Sequence, residues 1–217
     1  MLVRWMANPV YAACDWLVKL AYLNFLWVLF TLAGGIVFGF APSTAALFTL
    51  LRKLVHGETL NEIFQNYASV YKKEFFRSGK YGLVFLAAGA VLTVNMLLLT
   101  QFSGTLLVVM MSGMIFTIFL FFITSAFFFP VYISMPELSF FRTAGAALFL
   151  PFSTPGTALL AAGGTLGVTM LLFLFPVLLT FWGITGPALI WSRAAEKALH
   201  TRKDFKTDET SIALSGK

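Results

Sequence analysis

The chain has 217 residues, of which 59% are apolar and only 11% charged, and its mean hydropathy is +0.87. Soluble domains carry about 25% charged residues, so a water-soluble globular fold is excluded and an integral membrane protein is expected. One cysteine, Cys14, excludes an internal disulfide, and with only His56 and His200 beside it no zinc cluster can be assembled.

The placement of charge sets the architecture. Residues 20–51, 81–136 and 143–192 contain no Asp, Glu, Lys, Arg or His. A spanning helix needs about 20 residues, so the second and third blocks each hold two spans and an uncharged, outward-facing turn, near residues 101–104 and 180–183. The apolar stretches are continuous, unlike the alternating strands of a barrel, so the expected fold is all-α. The net charge of +6 lies in the flanks between blocks, and Lys/Arg enrichment there predicts a cytoplasmic side.

In chain order, the first predicted segment runs from residue 9 or 16 to 34. A short second one covers 42–55, with Arg52 and Lys53 reaching to the interface. The others cover 81–100, 106–129, 155–176 and 178–200. Six segments with both ends inside is the leading arrangement. The alternative has five spans, an external N-terminus and residues 42–57 lying on the inner surface. A single membrane domain over 1–200, followed by a polar cytoplasmic tail over 201–217, completes the expected layout. A cleavable signal peptide is not expected, because Asp15 and Lys19 interrupt the place of its apolar core.

Two cytoplasmic amphipathic helices are predicted. In the first, about 58–75, Thr59 and Glu62 match a capping box. Leu60, Ile63, Phe64, Tyr67, Val70 and Tyr71 recur at the spacing of one helical face. The face suits an interfacial anchor or a docking surface for another protein. The second, about 135–150, follows a capping pattern at Ser134–Glu137 and is expected to stop at Pro151, with Thr154-Pro155 opening the next span.

Catalytic chemistry is not expected, because no nucleophile, base or acid pair is placed to react. Ion-driven carriers place ionisable groups within the membrane, and the three blocks hold none. Asn24 and Asn95 are the polar residues of interest there, either bonding between helices or lining a path for a neutral sugar. Gly35 with Gly39, and Gly163 with Gly167, have the spacing that lets helices approach closely, within the chain or against another one. Pro42, Arg52, Lys53, Phe64, Tyr67, Tyr71, Lys72, Lys73 and Arg77 are the candidates for contact with a partner or with lipid. No cofactor-binding pattern, metal cluster or phosphate-binding loop is read, and nucleic acid is an unlikely partner for basic residues that line a membrane.

Residues 22–27 (Tyr-Leu-Asn-Phe-Leu-Trp), 41–47 (Ala-Pro-Ser-Thr-Ala-Ala-Leu) and 51–55 (Leu-Arg-Lys-Leu-Val), with Phe64 and residues 71–75 (Tyr-Lys-Lys-Glu-Phe), resemble the YesL family of bacterial integral membrane proteins. The resemblance is clearest over residues 16–80. It implies a cytoplasmic-membrane protein, mainly of Gram-positive bacteria, encoded beside polysaccharide-degrading enzymes and oligosaccharide ABC importers. The expected function is therefore an accessory or scaffold component working with permease subunits of such an importer. The alternative is a stand-alone facilitator or channel for a small neutral solute.

Overall fold

The computed structural model describes residues 9–58 and 62–215. Among them the chain forms eight helices and no strand. They are α1 (Pro9–Ala33), α2 (Val37–Val55), α3 (Ile63–Leu99), α4 (Gly104–Ser134), α5 (Phe140–Ser153), α6 (Pro155–Leu174), α7 (Pro176–Trp182) and α8 (Thr185–Ser215). Four stretches are long and apolar enough to cross a membrane: Ala13–Ala33, Ile63–Leu99, Gly104–Ser134 and Pro155–Leu174. Leu83, Val91, Phe122, Leu159, Leu166 and Phe173 project outward from them. Such an apolar exterior is stable only in lipid, and the architecture is that of a multi-pass helical membrane protein.

Glycines set the turn between α1 and α2. A Cβ on Gly39 would lie 2.4 Å from the Thr31 carbonyl oxygen and 2.9 Å from the Gly34 Cα. Those neighbours are backbone and cannot swing aside. Gly35 plays a different part, since a Cβ there meets nothing, but its φ of +75° is one that L side chains rarely adopt. Ile36 follows with a φ of 61°, an unusual conformation for a β-branched residue.

The turn delivers α2 into the middle of the bundle. Twelve of its 19 residues are buried, Pro42 among them, so its surroundings are protein on most sides. Small side chains explain the position: Ala41, Ala45 and Ala46 let neighbouring helices approach, and Ala41 meets Gly82 of α3 directly. Around α2 the core is completed by Leu23 and Leu26 of α1, Tyr67 of α3, Phe127, Phe128 and Tyr132 of α4, and Ala195 and Ala198 of α8.

The two amphipathic segments differ from expectation. Residues 63–99 form one continuous helix of 37 residues, about 55 Å long, so the first segment is the opening of a span rather than a separate element. Tyr67 and Tyr71 are buried, and Phe30 of α1 packs on both rings, with centroids 5.1 and 4.9 Å away. Tyr67 and Tyr71 of the periodic face therefore pack toward α1 and α2, while Phe64 stays exposed. Thr59, Leu60 and Asn61 lie outside the described residues. Glu62 takes a left-handed conformation and makes no side-chain cap. The second helix begins at Phe140, after a turn in which the Leu138 amide donates to the Met135 carbonyl, and it runs through Pro151 to Ser153. Its anchor is Phe140, whose ring packs at a tilt against Tyr81 and Phe128.

The expected last span, 178–200, is broken. α7 ends at Trp182 and α8 starts at Thr185, and the backbone of α8 then continues through Ser215, so residues 201–215 of the polar tail are helical.

Candidate functional site

Several polar side chains inside the bundle bond to backbone or to neighbouring helices, whereas the buried hydroxyls of Thr31, Tyr71, Thr165 and Thr185 have no hydrogen-bond partner among the described residues. Asn24, buried on α1, reaches the break between α7 and α8. Its Nδ2 donates to the Thr180 carbonyl at 2.8 Å, and its Oδ1 accepts from the Ile184 amide at 3.1 Å. In an unbroken helix that amide and that carbonyl would bond to each other. The carboxamide is inserted into the missing bond and satisfies both groups, which in an apolar surrounding would otherwise each cost several kcal/mol, on the order of 2–7. The Trp182 indole adds a second tie to α1 by donating to the Leu17 carbonyl at 3.2 Å.

A second network joins α1, α2 and α3. Tyr67 Oη donates to the Ser43 carbonyl at 2.7 Å and lies 2.8 Å from Ser43 Oγ, which donates to the Trp27 carbonyl at 2.9 Å. Beside it, Trp27 Nε1 donates to Thr44 Oγ1 at 3.1 Å, and that hydroxyl donates to the Phe40 carbonyl at 2.7 Å.

The charged end of the bundle is built from the helix termini. Arg52 ties three helices together. Its guanidinium lies 3.2 Å from Glu196 Oε1 on α8 and donates to the Ile133 carbonyl on α4 at 3.0 Å. His56 sits 4.0 Å from the same carboxylate. Arg77 donates to the Pro136 carbonyl in the turn before α5 and lies over the Tyr132 ring at 5.3 Å, while the Tyr132 hydroxyl donates to Glu74. Arg193 covers Trp16 at 5.7 Å. Arg52 and Arg77, expected at a partner or lipid surface, thus fasten the fold internally. Lys72 and Lys73 are exposed, Lys53 is half-buried, and Phe64 is exposed beside Phe30.

The remaining sequence candidates separate in the same way. Asn95 is exposed and donates only to the Val91 carbonyl of its own helix. Of the small-residue pairs, Gly39 packs closely. A Cβ on Gly163 or Gly167 would meet nothing, so this pair makes no close approach within the chain. The close glycine contact of α6 is instead at Gly164, which faces Ile190 of α8.

An apolar crevice of about 740 Å³ opens between α2, α3, α4 and α8, walled by Phe40, Phe48, Phe85, Phe129 and Trp191. Thr44 and Ser125 supply the hydroxyls along it, and that of Thr44 is already engaged. A smaller cavity, about 330 Å³, lies between α3 and α4 and includes Asn95 and Thr117. Among the described residues no group of three or more His, Cys, Asp or Glu is placed to hold a metal ion.

Sequence reasoning singled out Asn24 as a polar residue in an apolar block; Trp27, Ser43, Thr44 and Glu74 entered only as part of the stretches that resemble the YesL family, and Tyr132 and Glu196 not at all. Ser43 and Thr44 follow a proline in an Ala-rich stretch. Glu196 is one of four acids in a tail of alternating sign. Only the tertiary arrangement distinguishes them from ordinary helix-start and surface residues.

Comparison with known proteins agrees with the pattern of residues 22–75. The family model described as "Protein of unknown function, DUF624" matches residues 20–96. The uncharacterised protein YesL of Bacillus subtilis (strain 168) is 33% identical over 201 residues, covering 93% of this chain and 94% of its own. The uncharacterised protein YesV of the same organism is 34% identical over 176 residues, 81% of this chain and 84% of its own. A third, YteU, is 40% identical over 86 residues, covering 40% and 39% of the two chains. No solved structure matches the chain. With near full-length similarity to one of these proteins and the same helical regions carrying it, the chain belongs to the YesL family.

Proposed function

We propose that this protein is an accessory or scaffold component of the cytoplasmic membrane that works with the permease subunits of an oligosaccharide ABC importer and performs no catalysis itself. The observation that supports the reading is that Asn24, Ser43, Thr44 and Tyr67 spend their hydrogen bonds on joining helices. Asn24 splices a helix break, and Ser43, Thr44 and Tyr67 tie three helices together. A sugar path needs a run of polar groups left to hydrogen-bond hydroxyls, and the large crevice is walled by aromatic rings. In this reading six segments place both ends, and so the C-terminus, in the cytoplasm.

The alternative of a neutral-solute facilitator draws support from the smaller cavity beside Asn95 and Thr117. Purified protein reconstituted alone in liposomes distinguishes the two. No flux of a labelled neutral oligosaccharide above empty liposomes is the expected result. Saturable flux that Asn95→Leu abolishes would establish the facilitator and overturn the accessory reading.

A further inference from the structure

One line of side chains on α3 faces away from the rest of the molecule along its whole length. Lys73, Phe76, Lys80, Leu83, Ala87, Val91, Val94 and Leu98 follow one another at steps of three or four residues, and all are exposed. The line changes character once, at Lys80. From Leu83 to Leu98 it is wholly apolar, and Lys80 to Leu98 covers about 27 Å at 1.5 Å per residue, close to the roughly 30 Å of a bilayer's hydrocarbon core. Lys73 stands about 10 Å further along the axis, at the depth of the polar headgroup layer. Between the two cations Phe76 is 79% exposed, an arrangement costly in water and suited to the interface. Glu74, the acid closest in sequence, is off this line and bonded to Tyr132 on α4.

We propose that Lys73, Phe76 and Lys80 form a binding site for an anionic phospholipid, distinct from any partner surface. The ammonium groups take the phosphate from either side of the ring, and the acyl chains lie along Leu83, Val91, Val94 and Leu98. Charge complementarity and continuity with the lipid-facing stripe favour this occupant over an acidic peptide, which has no use for the apolar track below Lys80. Arg77 belongs to a different face, since it is bonded to Pro136 and covers Tyr132.

Native mass spectrometry of the full-length protein in mild detergent tests the site, with phosphatidylglycerol and phosphatidylcholine of matched chains as probes. Wild type is expected to bind phosphatidylglycerol preferentially. The K73Q/K80Q variant should lose that preference by about 30-fold, the effect of two cations near a membrane surface. K72Q, off the line, should bind as wild type does. Inorganic phosphate should not displace the lipid. Equal binding of the two lipids, an unchanged K73Q/K80Q variant, or displacement by inorganic phosphate or an acidic peptide would each overturn the proposal.

Discussion

Asn24 and Asn95 have the same side chain in equally apolar stretches, yet the structure gives them opposite weights. Asn24 supplies both partners of a broken helical hydrogen bond, to Thr180 and Ile184. Replacing it with leucine leaves a buried amide and a buried carbonyl unmet, and should destabilise the protein by about 1–3 kcal/mol in reversible unfolding in mixed micelles. Asn95→Leu should shift stability by less than about 0.5 kcal/mol, because its amide bonds only its own exposed helix turn. Equal effects at the two sites would remove Asn24 from its assigned role. Tyr67→Phe gives a further check at this scale, with an expected loss of about 1 kcal/mol as the Ser43 carbonyl loses its donor. The sequence makes both asparagines visible as polar interruptions. It does not distinguish them, because the difference lies in a backbone break 156 positions from Asn24.

Among the elements, the α1–α2 turn is where small residues are required most strictly. A methyl group on Gly39 collides with the Thr31 carbonyl and the Gly34 backbone, so Gly39→Ala should reduce folded protein in membranes several-fold, read by fluorescence-detected size exclusion. Gly167→Ala has open space and should leave the isolated chain unchanged or stabilise it by up to about 1 kcal/mol through helix propensity. If both substitutions are tolerated alike, the close approach at the turn is not what shapes the bundle. The positions of the turns after residues 33, 55 and 99 were legible as glycines or as charge boundaries. The continuity of α3 was not, because Lys72, Lys73, Arg77 and Lys80 read as the polar side and end of a separate interfacial helix while their helical phase runs unbroken into the span. The break at Gly183 falls at the uncharged turn expected near residues 180–183, although the span expected over 178–200 runs through it. Its flanks are apolar and helical in pattern, and a contact with α1 keeps it open.

At the scale of the whole molecule, α1, α3, α4 and α8 surround a buried α2, and arginines lock its charged end. Of the exposed or half-buried lysines at that end, Lys53 and Lys72 lie outside the lipid line, and the proposed accessory role assigns them to the surface offered to a partner. Reversing both, as K53E/K72E, should leave folding intact and weaken partner association at least several-fold, measured by quantitative co-purification at native expression; unchanged association would exclude this surface. The most direct measurement of the central claim is tagged purification of the wild-type protein from native membranes in mild detergent, with the proportions of co-purifying chains determined. The accessory role predicts permease subunits of an oligosaccharide ABC importer in fixed stoichiometry. A chain that purifies alone, and passes sugar by itself in liposomes, would contradict it.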